Sequence, residues 1–95
     1  MLGSIAGVGA MNKVRNNTGF EFLHAQVQTG ITFAKLALDA GDNDKKERNI
    51  ANALAAFQSI MRFRPDVILS DTEQQKLNRG VEELRRKLKQ LGQHV

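Results

Sequence analysis

Beyond Gly19 the chain contains a single proline, Pro65, and only four glycines, and its apolar residues return every third or fourth position on both sides of that proline. This spacing collects apolar side chains on one side of an α-helix, whereas a half-buried strand needs strict alternation, which no segment offers. The expected fold class is therefore all-α. Three helices account for the pattern, at about 19–40, 43–64 and 70–92.

In the first, Phe20, Leu23, Val27, Ile31, Ala34 and Leu38 form the expected inner face, with Thr18 or Asn17 as cap and Gly41 as a left-handed stop. Gly30 interrupts this run at a cost of about 1 kcal/mol relative to Ala. The polar wedge of Glu21, Gln28, Thr32, Lys35 and Asp39 nevertheless keeps its phase across Gly30, which predicts one continuous helix. The second helix is expected to start within Gly41-Asp42-Asn43-Asp44, with Asp42 or Asn43 as its cap, and to bury Ile50, Ala53, Leu54, Phe57, Ile60 and Met61. Pro65 ends it, because a residue preceding proline is pushed away from helical geometry. The third opens on Ser70-Asp71-Thr72-Glu73, which fits a capping box. Its seam of Leu77, Val81, Leu84, Leu88, Leu91 and Val95 then repeats in heptads. Matched lengths and short connections predict an antiparallel up-down-up three-helix bundle over 19–95.

With 95 residues, 41% of them apolar, there is material for one domain and one core. The absence of cysteine excludes disulfides, a thiol nucleophile and a Cys-based zinc site. Residues 1–18 read as a flexible Gly-rich N-terminal arm, apolar from Leu2 to Met11 but broken by Gly3, Gly7 and Gly9. Lys13 and Arg15 follow this stretch, whereas a secretory signal carries its cations first, and ten residues are far fewer than the roughly twenty needed to span a bilayer. Met11 offers an alternative start. The expectation is a cytoplasmic protein without a membrane segment.

The hairpin from Phe33 to Pro65 carries a further pattern. Phe33, Leu36, Ala37 and Ala40 stand at the aromatic, leucine, small and bulky positions of a first helix, and Ala53, Phe57, Ile60 and Pro65 at the small, aromatic, small and terminal proline positions of a second. In this it resembles a single degenerate tetratricopeptide repeat. The Arg48-Asn49-Ile50-Ala51-Asn52-Ala53 segment is also similar in style to small bacterial three-helix proteins of unassigned function. The resemblance implies a helical binding or scaffold module and brings no catalytic residues with it.

The net charge of +4 and pI near 9.9 raise the question of nucleic acid. The surplus lies toward helix C-termini, with Arg62 and Arg64 closing the second helix and Arg85, Arg86, Lys87 and Lys89 crowding the end of the third. Acids sit at the opposite ends, at Asp42, Asp44, Asp71 and Glu73. This arrangement complements helix dipoles, at about 0.3–1 kcal/mol per charge. Glu82 with Arg86 and Glu83 with Lys87 are favourable i,i+4 pairs. On a helical wheel Arg85, Arg86, Lys87 and Lys89 point in four directions, and neither Trp nor Tyr is present to stack on bases. Those four residues define an alternative expectation, a small basic nucleic-acid-associated protein.

Other chemistry finds little support. His24 and His94 lie on different segments without metal-ligand spacing. The acids from Asp39 to Glu47 lack the sixth-position glycine and twelfth-position glutamate of a calcium loop, since Ala53 stands at the twelfth place from Asp42. Ser4, Ser59 and Ser70 have no nucleophile motif, and residues 3–9 lack the Lys and Ser/Thr of a phosphate loop. No enzyme activity, cofactor, metal or small-molecule substrate is expected.

The helices differ in how much apolar surface they carry. The seam of the third spans only about 80°, as suits a helix with one face inward. The first adds Phe22, Phe33, Leu36 and Ala37 to its inner face, so roughly 200° of its circumference is apolar or neutral. Either it touches both other helices with the arm folded over the remainder, or Phe22, Phe33 and Leu36 form a patch for a second chain. The expected function on this ground is a non-enzymatic protein–protein interaction or scaffold module, docking a protein partner or self-associating through the first helix.

Overall fold

The computed structural model describes the backbone of residues 2–95 and the side chains from Gly19 onward. The side chains of 1–18, where a mobile arm is expected, lie outside the described residues. Three α-helices make up the fold: α1 (Leu2–Asp39), α2 (Asn43–Phe63) and α3 (Asp71–Gln90), with one 3-10 turn (Arg64–Asp66) after α2 and no strand among the described residues. They pack as an all-α three-helix bundle in which α1 lies against both α2 and α3, while α2 and α3 touch less extensively.

Local chemistry accounts for most of the helix ends. Asp42, in extended geometry, accepts a hydrogen bond from the Lys45 backbone N–H and caps α2. Ser70 and Glu73 form the reciprocal capping box of α3: the Ser70 hydroxyl accepts from the Glu73 N–H, and the Glu73 carboxylate accepts from the Ser70 N–H. Arg64 keeps right-handed helical geometry (φ -54, ψ -43) instead of being pushed out of it as expected before proline. The helix α2 passes into the 3-10 turn, where Pro65 sits in the first turn and its missing N–H removes no needed bond.

Two other ends differ from expectation. The helix α1 continues through Asn17, Thr18 and Gly19 without a cap, because no proline interrupts the stretch and Gly19 lies against the next connection. A Cβ there would stand 2.8 Å from Val67 Cγ1. At the other end Gly41 is not left-handed. The chain passes within a few residues from Asp39 into the extended Asp42 cap, and the only positive-φ residue described is Gly92, at φ 82, closing α3.

The core contains no polar or charged residue among those described. It joins Leu23, Val27, Ile31, Ala34 and Ala37 of α1 with Ala53, Phe57 and Ile60 of α2 and with Leu77, Val81, Leu84 and Leu88 of α3. The heptad seam is thus buried from Leu77 to Leu91 as its spacing predicts, while Val95 lies past the end of α3 and is only partly buried. On α2 the buried set is shifted toward α1: Ala56 is buried, whereas Ile50, Leu54 and Met61 are only partly so. Leu38 is exposed and Ala37 takes its place inside. The contacts of Gly80 with Val27 and of Gly30 with Leu84 fix the register of α1 and α3, and in that register Leu38 is level with Leu91 and Gly92, where α3 has ended.

Gly30 is the hinge of the packing. A Cβ at this position would lie 2.7 Å from Leu84 Cδ2 and 3.3 Å from Ala56 Cβ, so α2 and α3 both approach α1 at its missing side chain. Close approach, and not a helix break, is the reason for glycine in mid-helix.

Candidate interaction face on α1 and α2

On a wheel of about 100° per residue, Phe22, Thr29, Phe33, Leu36 and Ala40 share one side of α1, adjoining α2 and turned away from α3. Phe22 and Leu36 are 42% and 49% exposed, and Phe33 is partly buried against the core. The three sequence-predicted contact residues thus fall on one side, with Phe33 anchored and the other two open to solvent.

The structure adds Phe63, which periodicity did not single out. It ends α2, is 42% exposed, and meets Phe22 edge to face with ring centroids 5.8 Å apart. The Arg62 guanidinium lies over the Phe63 ring at 5.5 Å. Ile68, in the connection to α3, is 75% exposed. Between Phe22 and Leu36 the face is floored by exposed Ala25 and Thr29 on α1, and by Asn52, Ala55 and partly buried Ser59 on α2.

The sequence signal for this surface is an absence of charge. Residues 22–34 of α1 and 49–61 of α2 contain no Asp, Glu, Lys or Arg in any direction, although each helix presents exposed residues there. In α3, by contrast, acids and bases recur throughout, from Asp71 to Lys89. The two uncharged stretches lie side by side because α1 and α2 run antiparallel with Phe22 beside Phe63 and Gly30 beside Ala56.

The basic residues near the end of α3 are divided by their contacts. Arg85 pairs with Glu82 at 2.7 Å and lays its guanidinium over the Phe57 ring at 5.5 Å. The expected partner of Glu82 was Arg86, one residue further on. Lys87 pairs with Glu83 as expected, at 3.7 Å. Arg86 and Lys89 remain exposed. A surface hollow on α3 is lined by Asn78, Arg79, Glu82, Glu83 and Arg86, and mixes both signs of charge. A second, around Lys89, Gly92, Gln93, His94 and Val95, is lined by no acidic side chain.

Among the described residues no group of His, Cys, Asp and Glu could hold a metal ion, and no helix is long and apolar enough to cross a membrane. His24 stacks on Phe20 at 5.7 Å. No protein-family model, curated protein or solved structure matches the chain.

Proposed function

We propose that this protein is a non-enzymatic helical interaction module whose contact surface is the uncharged α1–α2 face. One observation carries the reading: two adjoining charge-free helix stretches, the first opening on solvent-exposed Phe22, are flanked on the same face by solvent-exposed Leu36 and Phe63. Exposed aromatics over a neutral, small-residue floor are what a docking helix needs, since large side chains supply apolar area and small ones admit close approach. The tetratricopeptide-like spacing of Phe33, Leu36 and Ala37 agrees with a binding role.

Site-specific photo-crosslinking in the cell of origin tests this. A photoreactive residue at Ala25, on the face, should give a discrete adduct, while the same residue at Gln75 on α3 should give none. Absence of a discrete adduct at Ala25 overturns the reading.

A further inference from the structure

We propose that the occupant of the α1–α2 face is a second copy of this chain, related by a two-fold axis parallel to the helices. The proposal rests on the interaction reading above and follows from the charges that border the face. On α1, Glu21 and Asp39 are exposed about 100° round the helix from Phe22, on the side away from α2. On α2, Arg62 is exposed about 100° from Phe63, on the side away from α1. One edge of the face is therefore mainly acidic at its ends, and the other is basic at the aromatic end.

The register of the hairpin sets the levels. Because Phe22 lies beside Phe63 and Gly30 beside Ala56, Glu21 stands within about one helical turn of the level of Arg62. Asp39 is level with the first turns of α2, where the wheel turns Lys45 and Arg48 toward the face, places Asp44 on its outer edge and turns Lys46 away. Lys35, on the same edge of α1, is level with neutral Ile50 and Ala51.

Two symmetric arrangements lay this face on itself. A two-fold perpendicular to the helices puts α1 on the partner's α1 and α2 on the partner's α2, so each edge meets its own charge type and Arg62 comes toward the partner's Arg48. A two-fold parallel to the helices lays α1 across the partner's α2. Glu21 then meets the partner's Arg62 on both edges of the symmetric pair, at the level where the two Phe22–Phe63 pairs join. Among the described residues neither Glu21 nor Arg62 forms an ion pair, which leaves both to pair across the interface. Charge complementarity of this kind fixes register and suppresses the competing arrangement.

The test uses the full chain and two charge reversals at exposed positions. By sedimentation velocity, the wild type should dimerise. Glu21→Arg and Arg62→Glu should each weaken the dimer roughly tenfold, since each homodimer then opposes like charges twice. An equimolar mixture of the two variants should recover dimers, because the mixed pair restores opposite charges at both contacts. Circular dichroism confirms that each variant is folded. A wild type that stays monomeric at millimolar concentration, a dimer indifferent to the reversals, or a mixture without recovery overturns the proposal. An Ala25 adduct at a mass other than twice the chain also overturns it while leaving the interaction reading standing; no adduct removes that reading itself.

Discussion

Gly80 of α3 lies so close to Val27 of α1 that a Cβ on the glycine would stand 2.5 Å from Val27 Cγ1. Helix propensity alone favours Ala over Gly by about 1 kcal/mol. Here the added methyl meets a stiff β-branched side chain in the core, and overpacking costs about 1–3 kcal/mol. Gly80→Ala should therefore lower stability by about 1 kcal/mol in urea unfolding, and in a Val27→Ala background the same change should be neutral or stabilising. Gly41→Ala, with open space around it, should not destabilise. A stabilised Gly80→Ala in the wild-type background would show that the helices do not meet at this glycine.

The exchange of Leu38 for Ala37 in the core makes a contrasting pair of leucines. Leu84→Ala deletes a fully buried side chain at the Gly30 crossing and should cost about 2–5 kcal/mol. Leu38→Ala, at a 41% exposed position, should cost under about 1 kcal/mol. Equal losses at the two sites, measured by denaturant titration, would contradict the register of α1 and α3.

The capping box predicts a selective pattern at the start of α3. Ser70→Ala should cost about 1 kcal/mol, and Glu73→Ala should be destabilising too because it frees the Ser70 N–H. Glu73→Gln retains an acceptor for that N–H and should retain most of the stability. Thermal unfolding of the three variants checks the order.

On the α1–α2 face, polar substitutions should separate anchor from rim. Phe33→Ser should destabilise the folded chain by more than Leu36→Ser, since Phe33 packs on the core and Leu36 is half exposed. Phe22→Ser loses its edge-to-face contact with Phe63, worth about 0.5–1.5 kcal/mol. Unfolding at low protein concentration isolates these terms from any association.

The division of the basic residues leads to a salt experiment. Arg85 and Lys87 are held by Glu82 and Glu83, which leaves Arg86 and Lys89 as the exposed members of that group. Titration with DNA should show weak binding with a shallow salt slope, set by roughly two phosphates. A steep slope, reduced by Arg86→Ala, would favour the nucleic-acid reading instead.

Features governed by neighbours along the chain were legible before any tertiary contact was known. The heptad seam of α3, the Ser70–Glu73 box, the Asp42 cap and the Pro65 stop each depend on residues within about a turn of one another, where helix geometry alone sets what can meet. The surplus of apolar residues on the first helix was visible for the same reason, and it led to Phe22, Phe33 and Leu36. Phe63 escaped notice because its role depends on Phe22, far away in the chain.

What periodicity left open concerns how the helices sit against one another. Gly30 reads as a cost within its own helix, and only the approach of Leu84 and Ala56 makes it necessary. Ala37 and Leu38 compete for the interior, and the end of α3 at Gln90 decides between them. The pairing of Phe22 with Phe63, and the alignment of two uncharged stretches into one face, follow from the antiparallel register of α1 and α2. Sequence periodicity specifies angles around one helix axis. Register along neighbouring axes is set by which side chains leave room for others, a property of the packed bundle.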